Sequence, residues 1–201
     1  MKLSKHFHAA VAAIGITALS ACADQVTDHN GNTRLSRPLT PGEITMAQEI
    51  FGNQIDYSAV QIARFNSNRS KAFNGLIRFS GNAYSNDFSQ DPNMRKKEVF
   101  IHEMAHMWQE QLGIDVVDSA IGLWFRNGGQ YDNSLYHYTK RDIPNFARLN
   151  IEQQAHIIEN YYSWREYVNN SNKDYACDEI ETYEQTLKRF LPHLQTPEIC
   201  Q

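Results

Sequence analysis

The sequence predicts an α+β domain, mostly helical, in which a small sheet precedes a helix carrying two histidines one turn apart. Three observations predict it. Strand-like alternation is confined to the region 57–85, and apolar residues recur at helical spacing on either side of it. The 201 residues, 41% hydrophobic and 11% aromatic, suffice for one core. A formal net charge of −4 gives no reason to expect a nucleic-acid partner. Neither an internal repeat nor a second domain is visible.

The first residues read as a targeting signal. Lys2 and Lys5 precede an apolar run, Ala9 to Leu19, too short for a membrane span. The run ends in "LSAC", Leu19 to Cys22, which resembles the bacterial lipobox, whose cysteine is lipidated and becomes the mature N-terminus. Residues 1–21 are thus expected to be a lipoprotein signal peptide, with Cys22 as the lipidation site. Ala23, where some sorting signals carry aspartate, favours the outer membrane facing the periplasm by resemblance to enterobacterial signals. Residues 22–37 are polar and without period, and read as a flexible tether. His29 within them reads as a solvated residue. A domain over 38–201 follows.

Thr40 is a fitting N-cap, Pro41 suits the first helical position and Glu43 completes a capping box. Ile44, Ala47, Ile50 and Phe51 then repeat at helical spacing up to Gly52. "YSAVQIARF" (57–65) and "GLIRFSGNAYS" (75–85) read as two strands, the second preceded by the turn signal Asn74-Gly75. After "NDFSQDPN", Ile101, Ala105, Trp108 and Leu112 form one helical stripe with Met104 beside it, and Gly113 stops it. "VVDSAIGLWF" is apolar and reads as helix up to Asn127-Gly128-Gly129. A long polar and aromatic connection leads to a helix from Ile151 to about Val168, and a last helix covers roughly 178–191. Cys177 and Cys200 are expected to pair in an oxidising compartment.

The stretch "HEMAH" carries the chemistry. Histidines at i and i+4 share one helix face, so His102 and His106 can offer two imidazoles to one ion. Glu103 projects about 100° round the helix, within reach of a water on that ion. Zinc needs a third protein ligand and an open position for the water, whose proton Glu103 would pass to a leaving amine. Zn2+ is therefore the expected cofactor and a protein or peptide the expected substrate.

Three blocks, "RPLTPGEITMAQEIFGNQIDYSAVQI", "FIHEMAHMWQ" and "LNIEQQAHIIENYY", resemble in this order the Vgr-related and Rhs-associated zinc metallopeptidases of bacteria. The likeness runs from about Arg37 to Tyr162. It implies a zincin-like fold of gluzincin type and an association with secretion systems. The resemblance puts the third ligand on a later helix, with Glu152 the first choice and His156 the chemical alternative. Glu159, also near that face, is implied as an acceptor orienting one of the histidines. By the same resemblance "GNAYS" (81–85) would be the edge-strand segment that pairs with substrate. Tyr136, His137, Tyr138, Tyr161 and Tyr162 are candidates for donating to an oxyanion. The expected function is zinc-dependent peptide hydrolysis in the bacterial envelope, through a lipid anchor in the membrane. The alternatives are a zinc-binding lipoprotein serving as a binding or assembly module, and a secretion-system-associated effector.

Overall fold

The computed structural model describes residues 25–27, 33–171 and 176–201. The signal segment, Cys22 and His29 lie outside the described residues. The architecture is the expected single α+β domain with a small sheet ahead of the histidine-bearing helix.

Five strands form the sheet: β1 (Gln25–Thr27), β2 (Thr33–Pro38), β3 (Gln61–Phe65), β4 (Lys71–Phe73) and β5 (Leu76–Ser80), in the order β1-β2-β3-β5-β4. Among the described residues only β3 and β5 pair in parallel, with Ile62 beside Ile77. The region expected to be tether is therefore partly sheet. β1 and β2 pair antiparallel, and Ser36 to Pro38 continue onto β3. The sequence hid this because the segment is polar. Arg37 is fastened in place by a two-oxygen pairing with the buried Glu43, at 2.8 and 2.7 Å.

Helix α1 (Pro41–Phe51) begins as expected, with Thr40 and Glu43 forming a reciprocal capping box. Glu43 also accepts from the Phe88 amide at 3.0 Å, so one carboxylate joins the cap, β2 and the turn before the next helix. Residues 57–59 form a 3-10 turn rather than strand, and the strand starts at Gln61. Asn74 and Gly75 both have positive φ, 51° and 71°, and make the two-residue turn between β4 and β5. A side chain at Gly75 would sit 2.7 Å from the Ala59 carbonyl.

Helix α2 (Met94–Gln111) runs through the centre, with every residue from Phe100 to Gln109 buried. Ile101, Met104, Ala105 and Trp108 lie in the core as their spacing predicts. Leu112 does not: the helix has ended and it is exposed. Helix α3 (Val116–Arg126) buries only Val116 and Leu123. Helix α4 (Ile151–Ser171) packs along α2, and α5 (Cys177–Leu187) covers α4. A disulfide joins Cys177 to Cys200, with Cα atoms 5.4 Å apart, and ties α5 to the C-terminal turn.

Candidate metal centre

Two helices build the site. α2 is buried on all sides over its middle, so its polar side chains there must find partners inside the protein. α4 supplies them. Nε2 of His102 lies 3.2 Å and Nε2 of His106 3.4 Å from the same carboxylate oxygen of Glu152. Ligand atoms of His102, His106 and Glu152 all lie within 4.8 Å of one another, and all three residues are buried.

The outward ring nitrogens are engaged as well. Nδ1 of His102 meets Glu159 Oε2 at 3.0 Å. Nδ1 of His106 meets Gln109 Oε1 at 2.8 Å. With an ion in place of the Nε2 protons, a proton donated from each Nδ1 would leave each Nε2 a lone pair for the shared centre. Two imidazoles and one carboxylate make a donor set suited to zinc. These residues fit the ion the sequence leads one to expect.

Charge follows the same geometry. Burial opposes ionisation of Glu152, but His106 and His102 outweigh it and hold the carboxyl well below the usual range. Burial likewise opposes charge on Glu159, where His102, His156 and Arg95 prevail. Burial works against a charged His102, yet its bonds to Glu152 and Glu159 hold the ring up at about 10. Glu103 differs from its neighbours. It is 5% exposed, and burial pushes its carboxyl up to about 7 although both histidines oppose the rise. Its Oε2 has no hydrogen-bond partner.

His156 and Glu159 form a second group with His102. Glu159 Oε2 accepts from Nδ1 of both histidines at 3.0 Å, and Oε1 is paired with Arg95. Glu159 is thus held between His102, His156 and Arg95.

Of the five aromatic and histidine candidates for an oxyanion donor, Tyr136 alone lines both cavities beside His102 and Glu103. Its ring centroid is 5.7 Å from that of His102. Tyr161 donates to Glu184, Tyr162 to the Met46 sulfur, and Tyr138 bonds to Tyr183 and Asn160. His137 is exposed on the rim of the second cavity. The expected edge segment 81–85 is a turn, not a strand: the Ala83 and Tyr84 amides both bond to the Ser80 carbonyl. The strand at the site is β4, an outer strand whose residues line the same cavity as Glu103.

Two contributors had not been singled out. Gln109 accepts from His106 and donates to the Ile151 carbonyl and to Gln154, linking α2 to α4. Its position three residues after His106, on the same helix face, was the available signal. Tyr131 donates its hydroxyl to Glu152. It lies in an irregular connection, where spacing says nothing about which residues meet.

No family model matches the chain. A comparison with curated proteins finds the type VI secretion system spike protein VgrG2b of Pseudomonas aeruginosa, 28% identical over 169 residues. The match takes in 81% of this chain and only 16% of that protein's length. Among solved structures, the effector domain of Pseudomonas aeruginosa VgrG2b superposes with a TM-score of 0.53 at 28% identity, covering 79% of this chain and 84% of that one. The relationship to Vgr proteins implied by the three sequence blocks is borne out: in sequence and in fold, this chain resembles the effector domain of a type VI secretion spike protein.

Proposed function

We propose that this chain is a secretion-associated effector whose activity is zinc-dependent hydrolysis of a peptide bond. The convergence of His102, His106 and Glu152 beside a buried, partnerless Glu103 oxygen carries the chemical half of this reading. The likeness to the VgrG2b effector domain supports the effector half, in preference to a resident envelope peptidase.

His102, His106 and Glu152 would hold the ion. Glu159 is the weaker choice because Arg95 already balances its charge. Glu152 pairs with the two histidines and accepts from the Tyr131 hydroxyl. Zinc, when bound, supplies the Lewis acidity that makes an attacking water nucleophilic near neutral pH. Glu103 would accept a proton from the attacking water and deliver it to the leaving amine. A carboxyl raised towards neutrality by burial suits both halves of this transfer. Glu159 and Gln109 would keep the imidazoles oriented, and Tyr136, which lines the same cavity, would donate to the developing oxyanion.

The test is Glu103→Gln. The variant should keep its fold and about one zinc per chain by metal analysis, while peptide cleavage falls by roughly 10²- to 10⁴-fold. Absence of transition metal in both proteins after zinc repletion would remove the metal from the reading. Equal behaviour of the two zinc-loaded proteins in every cleavage and cell assay would instead favour a binding or assembly module.

A further inference from the structure

Two cavities of different chemistry adjoin at Glu103. The first, about 440 Å³, is lined by Val117, Ile121 and Trp124 of α3 and by Ala72 and Phe73 of β4. The second, about 600 Å³, shares Arg69, Ser70, His102, Glu103 and Tyr136 with it, and its further lining includes Arg95, His137 and His156. Two carboxylates border this second space, Glu103 and Glu159. Glu159 is already matched by Arg95 and two imidazoles. Arg69 has no such match. Asp132 senses its charge but is bonded to the amide and hydroxyl of Ser134. Among the described residues Arg69 belongs to no ion pair. Its guanidinium carbon lies 5.7 Å from the Tyr131 ring centroid, and the Tyr136 phenol is its other neighbour. A guanidinium over a ring uses its flat face and keeps N–H groups on its edge for an anion.

We infer that the second cavity is a subsite for a carboxylate of the substrate, an acidic side chain or the C-terminal group of a peptide, bound by Arg69 near the bond at Glu103. The inference rests on the peptidase reading for the identity of that bond. Three features favour a carboxylate. The parallel N–H bonds of a guanidinium match the two oxygens of a planar carboxylate. Arg69 lines both cavities, so a carboxylate held there keeps the adjoining residues of its chain within reach of Glu103. Glu103 and Glu159 on the same walls repel a second negative charge, which disfavours a phosphate dianion. His137 and His156 can add ring donors from the far wall. Arg69 is exposed, so solvent limits the preference for a carboxylate over the matching amide to about tenfold at low salt, and added salt should shrink it.

The experiment uses a library of octapeptides, each position fixed in turn, made with free and with amidated C-termini, and zinc-loaded full-length protein. Cleavage is read with the wild type and equilibrium capture with Glu103→Gln, alone and combined with changes at Arg69. Asp or Glu should be enriched over Asn or Gln at one position by about tenfold, which identifies an acidic side chain, or free acids over amides by as much, which identifies the terminal group. Arg69→Gln should abolish the preference. Arg69→Lys, which keeps the charge and loses the fork, should retain a smaller one. Arg69 is exposed, so both variants should match the parent in circular dichroism and zinc content. No preference for acid over amide in either library overturns the inference. A preference that survives Arg69→Gln at full zinc content also overturns it and puts the carboxylate on the metal. Capture of a phosphoserine peptide that inorganic phosphate displaces, with no gain for Asp or Glu, overturns it in favour of a phosphate site. Preference on capture without cleavage by the wild type leaves the subsite standing and sinks the peptidase reading. Cleavage without preference does the reverse.

Discussion

Replacing Glu159 by glutamine tests whether this carboxylate orients the metal site or belongs to it. Its Oε2 lies 3.0 Å from Nδ1 of His102 and of His156, and it is 3% exposed. Glutamine keeps the shape and one acceptor oxygen but loses the charge. A hydrogen bond to a charged acceptor contributes about 1.5–3 kcal/mol and a neutral one about 0.5–1.5. The difference, roughly 1–1.5 kcal/mol, corresponds to about a tenfold weaker zinc Kd. Glu159→Ala removes the acceptor entirely and frees the ring, so its loss should approach 100-fold, the upper end of what partners of ligand histidines contribute. Arg95 is not stranded by either change, because it also pairs with Glu98 at 3.0 Å and its side chain is largely exposed.

The assay is zinc competition against a chelator of known affinity, with circular dichroism to confirm that each variant is folded. Glu152→Ala is the comparison, and it should lose far more because a ligand is gone. Zinc Kd values for both Glu159 variants equal to the wild type would refute the orienting role. A loss in Glu159→Gln as large as that in Glu152→Ala would make Glu159 a ligand and overturn the assignment given above.

The other predictions concern what holds the site and the domain. Gln109→Leu should lower the melting temperature by about 6–12 °C, because leaving two or three buried polar groups unpaired costs about 3 kcal/mol in a chain of this size. Thermal unfolding of the zinc-free protein checks it, and an unchanged midpoint would mean that the link between α2 and α4 contributes nothing. Cys177→Ser should destabilise by about 3 kcal/mol, from the chain entropy of a closed loop whose ends are 23 residues apart. Denaturant unfolding of both proteins without reductant reads the difference, and equal midpoints would refute it.

The parts of this fold that were legible in the sequence share one property: their signal is local and periodic. Thr40 and Glu43 lie three residues apart and close a box within one turn, so the start of α1 is written in four residues. His102 and His106 likewise meet through helix spacing alone. The strand β4 escaped because Lys71-Ala72-Phe73 is too short to show alternation. β2 escaped because its pairing with β3 depends on residues distant in sequence, such as Ala63 beside Ser36. Leu112 was misplaced because a stripe does not announce where its helix ends. Glutamine is ordinarily a surface residue, and only the burial of α2 over its middle makes the Gln109 amide structural. The apolar face of α3 was legible as apolar, but periodicity cannot tell a face covered by protein from one that borders a cleft.

The sheet also changes what an anchor at Cys22 would do. A free tether from Ala23 to Arg37 would let the domain wander roughly 20 Å from the membrane. With β1 starting at Gln25, only Ala23 and Asp24 separate it from Cys22, a span of roughly 10 Å even when extended. The order β1-β2-β3-β5-β4 puts the cleft-lining strand at the far edge, four strand spacings or roughly 19 Å away. Lipidation would therefore press one sheet edge towards the bilayer and hold the cleft at a set height above it, within reach of peptides that project from the surface. Cys22→Ser tests this. Labelled palmitate should enter the wild type and not the variant, the wild type alone should sediment with membranes, and zinc content should be the same in both. Equal label in the two proteins, or a wild type that is soluble with Cys22 unmodified by mass spectrometry, would refute the anchor. That result would leave a free effector domain as the reading consistent with its likeness to VgrG2b.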